Sequence, residues 1–213
     1  GDIRREIAAA KFPQGYFTSL EGQFQAQEEA SQLIAGLSLV SLALIFVVLY
    51  TRYQSGVLAL IIMSNVPLAL IGSVAALWIA GQTFSVASAI GFITLAGIAT
   101  RNGILKISHY INLVLFEGET FGRKMIVRGT LERLTPVLMT ALAASIALLP
   151  LMVGADEPGK EILNPVAITI FGGLMSATLL DAFLTPVLFL LFGQKPLEQL
   201  VTARAEKMHA EVF

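Results

Sequence analysis

Uncharged stretches dominate this chain. None of residues 30–51 carries a charge, and none of residues 53–100 does. Further neutral runs cover 134–155, 162–180 and 182–194. A helix needs roughly 20 apolar residues to cross a hydrocarbon layer about 30 Å thick, where every backbone N–H and C=O must be satisfied within the segment. Runs of this length therefore predict membrane-crossing helices rather than the core of a soluble domain. The composition, 55% hydrophobic and 14% charged with a mean hydropathy of +0.76, belongs to the same class.

The pattern predicts an all-α integral membrane fold, a transmembrane bundle with crossings at 33–50, 56–80, 84–114, 134–153 and 162–192. The neutral run 53–100 has to be two spans, because one helix of that length would overshoot the layer about twofold. Gly81-Gln82-Thr83 is the polar break between them. In 117–133, charges are spaced among Phe121, Met125, Ile126, Val127 and Leu131. That segment reads as an amphipathic helix lying in the interface plane, with a soluble loop as the alternative. Residues 1–30 are polar, helical over 2–11 and turning at Phe12-Pro13-Gln14-Gly15; residues 194–213 form a polar, frayed helical tail.

Lys and Arg counts set the expected direction. One set of connections holds Arg52, Arg123, Lys124, Arg128, Arg133, Lys195, Arg204 and Lys207. The other holds the uncharged 81–83 and the acidic 155–161, so the first set is expected on the cytoplasmic side. Arg4, Arg5 and Lys11 then lie on the opposite side, on a polar segment that has no signal-peptide pattern. The expectation is that upstream crossings orient it. The chain then reads as the C-terminal piece of a longer protein, with 1–30 the end of an external domain.

The few charges inside the spans are the candidate functional residues, since a charge at mid-membrane costs about 2.5–3.5 kcal/mol and persists only with a partner or a hydrated path. Arg101 sits midway along the third span with Asn102 beside it. Lys106 and His109 follow on the same helix and are weaker candidates, able to snorkel to the surface. Arg133 opens the fourth span, and Thr140, two turns on, shares its face. For Arg133 the plain alternative is a cytoplasmic anchor; for Thr140 it is a bond to its own helix. Asp181 interrupts the last span, where it is a proton carrier, a salt-bridge partner for Arg101 or Arg133, or a bundle-stabilising hydrogen bond. Gly72, Gly91, Gly97, Gly103, Gly172 and Gly173 permit close helix approach, and Pro67, Pro136 and Pro186 shape helices.

Other chemistries find no support. Cysteine is absent, and the balance of 14 basic against 15 acidic residues gives nucleic acid nothing to bind. No phosphate loop, zinc helix or serine elbow occurs, so no cofactor and no resident metal site is expected and the chain does not read as an enzyme. The acidic stretch 154–161 lacks calcium-loop spacing and reads as an external turn. Met63, Met139, Met152 and Met175 are irregularly spaced and read as core filling.

Several motifs in order resemble a known family. They are Asn65-Val66-Pro67-Leu68-Ala69-Leu70-Ile71-Gly72, Gly97-Ile98-Ala99-Thr100-Arg101-Asn102-Gly103-Ile104-Leu105 and Arg133-Leu134-Thr135-Pro136-Val137-Leu138-Met139-Thr140-Ala141-Leu142. Together they look like the C-terminal membrane half of a resistance–nodulation–division (RND) efflux permease. Gly159-Lys160-Glu161-Ile162-Leu163, with Leu180-Asp181 and Thr185-Pro186, resembles the heavy-metal efflux, Cus/Czc-type subgroup. The likeness runs from Pro13–Tyr16 to about Gly193.

The resemblance implies half of a repeat-built transporter domain in a bacterial inner membrane, N-terminus periplasmic and C-terminus cytoplasmic. It implies a proton-driven homotrimer exporting metal cations, working with the N-terminal half of the same polypeptide, a periplasmic adaptor and an outer-membrane channel. It also implies that Arg101 pairs with carboxylates of an earlier crossing, and that Arg133 and Thr140 join the relay. Metal-pump members vary at the Arg101 position. An RND exporter of organic compounds or lipids is the alternative, and a non-transporting membrane scaffold or protein-export helper is the alternative from another class.

Overall fold

The computed structural model of the chain describes residues 23–153 and 159–211. Among these it forms helices α1 (Gln23–Tyr53), α2 (Gly56–Met63), α3 (Asn65–Ile79), α4 (Val86–Glu117), α5 (Arg123–Met152), α6 (Lys160–Phe192) and α7 (Gln194–Glu211), with no strand. Five segments are long and apolar enough to cross a membrane: Glu28–Tyr53, Gly56–Ile79, Val86–Glu117, Arg123–Met152 and Lys160–Phe192. The all-α bundle expected from the neutral runs is thus what the chain builds. The helix and turn expected within 1–16, and most of the turn expected at 154–161, lie outside the described residues.

Boundaries follow local chemistry. Residues 56–80 are not one unbroken helix: Ser64 separates α2 from α3, its hydroxyl donating to the Ile61 carbonyl at 2.6 Å. α4 starts at Val86 rather than 84, because Ser85 and Ser88 form a reciprocal capping box. It ends at Gly118, whose φ of 68° is a left-handed geometry that glycine adopts without strain. The tail beyond 194 is helical as α7, held by Leu197, which is buried in the core.

The largest departure is at α5. Residues 123–133 are not a helix of their own; they are the first turns of Arg123–Met152. No breaker stands between Arg133 and Leu134, and two contacts hold the early turns upright. Met125 and Ile126 are buried in the core, and Gly129 lies so close to Tyr110 and Leu113 that a Cβ there would meet both at 2.8 Å. Arg128 adds a surface network, reaching Glu119 at 2.8 Å, Glu132 at 2.9 Å and Glu117 at 2.5 Å, while His109 Nε2 meets Glu132 at 2.7 Å. Exposed pairs contribute little singly, but a network tying the end of α4 to the start of α5 fixes the turn between them.

α6 is the hub, packed against α3, α4 and α5. Small residues bring α3 and α6 together, and hydroxyls bond across the seam. Ser73 Oγ donates to the Thr169 carbonyl at 2.7 Å and Ser176 Oγ to the Leu68 carbonyl at 2.9 Å. At one end of the bundle, Leu58, Ile62, Tyr110, Leu113, Phe189 and Leu197 form the main apolar core. α1 is different: Leu49 and Tyr53, near its C-terminus, are its buried residues, and the rest of its described length is partly or fully exposed. An apolar groove of about 450 Å³ separates its upper part from α3 and α4, lined by Ile34, Leu42, Val66 and Phe92 among others.

Asn164 closes the far end of α5. Its buried amide donates to the carbonyls of Leu151 (3.1 Å) and Met152 (2.9 Å), which have no later helical N–H to accept from. Asn164→Leu should cost about 1–3 kcal/mol through the two orphaned carbonyls. Resistance of the purified full-length permease to SDS-induced unfolding would measure that loss, and an unchanged midpoint would mean water replaces the cap.

Candidate functional site

The polar centre of the bundle is built on Lys106 and Asp181, each about 4% exposed. Lys106 belongs to α4 and Asp181 to α6, helices that pack along their length. The Lys106 ammonium bonds Asp181 Oδ2 and also donates to the Asp181 backbone carbonyl at 2.8 Å. Asp181 Oδ1 accepts from the Thr185 hydroxyl one turn later. Thr185 Oγ1 lies 3.1 Å from Asn65 Oδ1, and Asn65 Nδ2 has no partner among the described residues. A hydroxyl has one proton, and the carboxylate is the stronger acceptor. The Asn65 amide therefore turns its NH₂ to Thr185, giving the directed chain Asn65→Thr185→Asp181←Lys106. That orientation leaves the Asn65 oxygen against Gly103, where a Cβ would sit 2.7 Å from the amide.

Each member is placed by its helix. Asn65 is the first residue of α3, just beyond the Ser64 break, so the interruption of α2–α3 delivers it to the centre. Gly103 leaves the space it fills. Thr185 and Asp181 are four apart and share one face of α6, just before Pro186. A buried charge pair costs several kcal/mol of desolvation per ion, and what offsets it here is the saturation of both Asp181 oxygens by Lys106 and Thr185.

The residues read as functional from the sequence divide into two groups. Lys106 and Asp181 meet. Arg101 does not join them: it is exposed on α4 and has no ion pair among the described residues. Five residues turn the helix by about 140°, so Arg101 and Lys106 cannot face the same neighbour. The expectation that Arg101 or Arg133 partners Asp181 is therefore corrected: Lys106 does. Asn102 is buried beside Arg101. Arg133 is half-buried without an ion pair among the described residues; Thr140 is exposed and donates to the Val137 carbonyl of its own helix at 2.9 Å. His109, weighed as a snorkelling residue, bonds Glu132. Sequence reading missed Asn65 and Thr185 as partners, although the i, i+4 spacing of Asp181 and Thr185 was there to use. Among the described residues no group of three His, Cys, Asp or Glu side chains could hold a metal ion.

Comparison with known proteins places these helices in a lineage. Residues 2–193 match the AcrB/AcrD/AcrF family. The cobalt-zinc-cadmium resistance protein CzcA of Cupriavidus metallidurans is 36% identical over 185 residues, 87% of this chain and 17% of CzcA. The multidrug resistance protein MdtC of Erwinia tasmaniensis is also 36% identical, over 88% of this chain and 18% of its own length. Among solved structures, a heavy metal efflux pump superposes with a TM-score of 0.76 at 34% identity, over 90% of this chain and 19% of that one. The chain thus spans less than a fifth of the length of the proteins it matches, and over that span it belongs to the AcrB/AcrD/AcrF family of RND efflux permeases.

Proposed function

We propose that this bundle is the C-terminal membrane part of a proton-driven permease that exports metal cations across a bacterial inner membrane. In this reading the start of the chain lies in the periplasm and its end in the cytoplasm. The permease works as a homotrimer with a periplasmic adaptor and an outer-membrane channel. The observation that carries the reading is Arg101, a guanidinium midway along a membrane-length helix that is exposed and has no ion pair among the described residues, while Lys106 and Asp181 neutralise each other. An unpartnered charge at that depth calls for a carboxylate from another helix of the same permease. Protonating that carboxylate dissolves the pair, and the bundle changes its packing between two arrangements.

Arg133 and Thr140 line the path by which the proton reaches Arg101's partner, and Asn102, buried at its side, holds α4 in register. Asp181 serves as a fixed charge: with Lys106 it orients the helix that presents Arg101. Metal is favoured as cargo by the likeness to CzcA and to the heavy metal efflux pump; the equal identity to MdtC supports organic cargo as the second reading.

Arg101→Ala in the full-length permease should abolish tolerance to the exported cation at matched membrane abundance, whereas Arg101→Lys should keep part of it. The check is growth of metal-sensitive cells against zinc, cobalt, nickel, cadmium and copper. Full tolerance in Arg101→Ala removes the residue from the mechanism. A wild type that protects against organic compounds and no metal transfers the proposal to the second reading.

A further inference from the structure

A cleft at the bundle end that carries Arg52 and Lys195 serves neither the core nor the buried polar centre. Two adjoining cavities of about 680 Å³ and 620 Å³ share Gln54, Pro196 and Gln199. Arg52 borders the first and Lys195 the second. Both cations are exposed, and neither has an ion pair among the described residues, in contrast to Arg128, which has three carboxylates. The backbone is shaped for the opening. Gln54 takes φ 49°, a left-handed geometry uncommon outside glycine, and its side-chain amide donates to the Thr51 carbonyl at 2.8 Å. That turn starts α2 at Gly56 beside the start of α7 at Gln194, so the N-terminal ends of two helices border the cleft. At the start of α2 the Ser55 hydroxyl accepts from the Leu58 N–H at 3.4 Å, and the positive dipole end at such positions favours anions.

The rim has the opposite chemistry. Tyr50, Val57, Leu191 and Phe192 border the second cavity and are all exposed apolar side chains. They lie at the ends of membrane-length helices, continuous with the surface those helices offer to lipid. A ligand that fits both parts has an anionic head and an apolar chain. Inorganic phosphate would use the cations and leave the rim in contact with nothing. A zwitterionic lipid would use the rim and bring a phosphate, but its own ammonium would add a third cation beside Arg52 and Lys195. We propose that this cleft binds the headgroup of an anionic phospholipid, with Arg52 and Lys195 taking the phosphate and the Tyr50–Phe192 rim taking the first acyl carbons.

The test uses the purified full-length permease in a neutral detergent, titrated with phosphatidylglycerol, with chain-matched phosphatidylcholine or with inorganic phosphate, and read by native mass spectrometry. A Lys or Arg near an anionic lipid contributes roughly a fivefold gain in affinity. Arg52→Gln and Lys195→Gln should each weaken the tightest phosphatidylglycerol site about fivefold. The double variant should weaken it about 25-fold and phosphatidylcholine binding by much less, and Arg52→Lys should keep near wild-type affinity. Both positions are exposed, and an unchanged SDS-unfolding midpoint in the double variant separates lost binding from lost fold. Equal affinity for the two lipids, or an unaltered phosphatidylglycerol site in the double variant, overturns the proposal. So does competition by phosphate at the lipid's own concentration, which would make the site one for free anions.

Discussion

Asp181→Ala should destabilise the permease by about 3–5 kcal/mol, the usual consequence of leaving one ion of a buried pair without its counter-charge. The residue left behind is Lys106, whose ammonium keeps only the Asp181 backbone carbonyl as acceptor. Thr185 loses its acceptor in the same step, and the Asn65 NH₂ turned toward it cannot take its proton. Lys106→Met should cost a similar amount from the other side, stranding the carboxylate. The double change Lys106→Met/Asp181→Leu should recover most of the loss, because replacing a buried ion pair by apolar side chains of similar volume is commonly neutral or stabilising. The measurement is a double-mutant cycle on SDS-unfolding midpoints of the full-length permease, closed with Asp181→Leu and Lys106→Met as its single variants, with membrane abundance as a second readout. Additive losses in the double variant would mean that the two groups do not act as a pair. Recovery of stability together with lost transport would assign the pair a part in the transport cycle beyond holding α4 to α6.

The second large effect is expected at the seam between α3 and α6. A Cβ on Gly172 would fall 2.2 Å from the Ala76 Cβ and 2.7 Å from the Gly72 carbonyl oxygen. One on Gly72 would fall 2.1 Å from the Ser176 Cβ and 2.5 Å from the Gly172 carbonyl oxygen. Two of these four neighbours are backbone atoms, so no rotamer change relieves the clash and the helices have to separate. Separation also pulls Ser73 from the Thr169 carbonyl and Ser176 from the Leu68 carbonyl. Gly72→Ala and Gly172→Ala should each cost about 4 kcal/mol or more, above ordinary overpacking. Gly36→Ala is the contrast: nothing lies within 4 Å of a Cβ there, and the gain in helix propensity should stabilise by up to about 1 kcal/mol. If Gly172→Ala folds at wild-type abundance, the seam is looser than these distances state.

The crossings were legible because exclusion of charge from hydrocarbon is a property of composition along the chain, and needs no knowledge of neighbours. The same logic misled at 123–133. There, charge was read as the end of a span, whereas Arg128 is exposed beside its own acidic partners and the helix runs on through Arg133. The polar centre was half legible. Asp181 stood out as a carboxylate in an apolar run, but its partner depended on the direction each side chain takes around its helix. Arg101 and Lys106 differ by five positions, which puts them on different faces, and only the packing of α6 against α4 selects Lys106. Asn65 was hidden for another reason. Its arrival at the centre depends on the interruption at Ser64, which lies inside a run that reads as one continuous span.

α1 is mounted in a way that has a mechanical consequence. A helix of 31 residues is about 46 Å long, and this one buries Leu49 and Tyr53 in the bundle, with Ile45 and Phe46 packed against the same core. It is a long beam whose buried seat lies toward one end, and that seat is a fulcrum. A tilt of about 5° would carry the opposite tip roughly 4 Å at almost no change in core packing. The space that opens or narrows is the groove lined by Ile34, Leu42, Val66 and Phe92. A tilt of α1 about that seat is thereby a change of width in a slot between α1 and the rest of the bundle. The stiffness of the fulcrum, set by Leu49 and the Tyr53 hydroxyl on Ser108 (2.8 Å), decides how far such a tilt is passed on to the rest of the bundle.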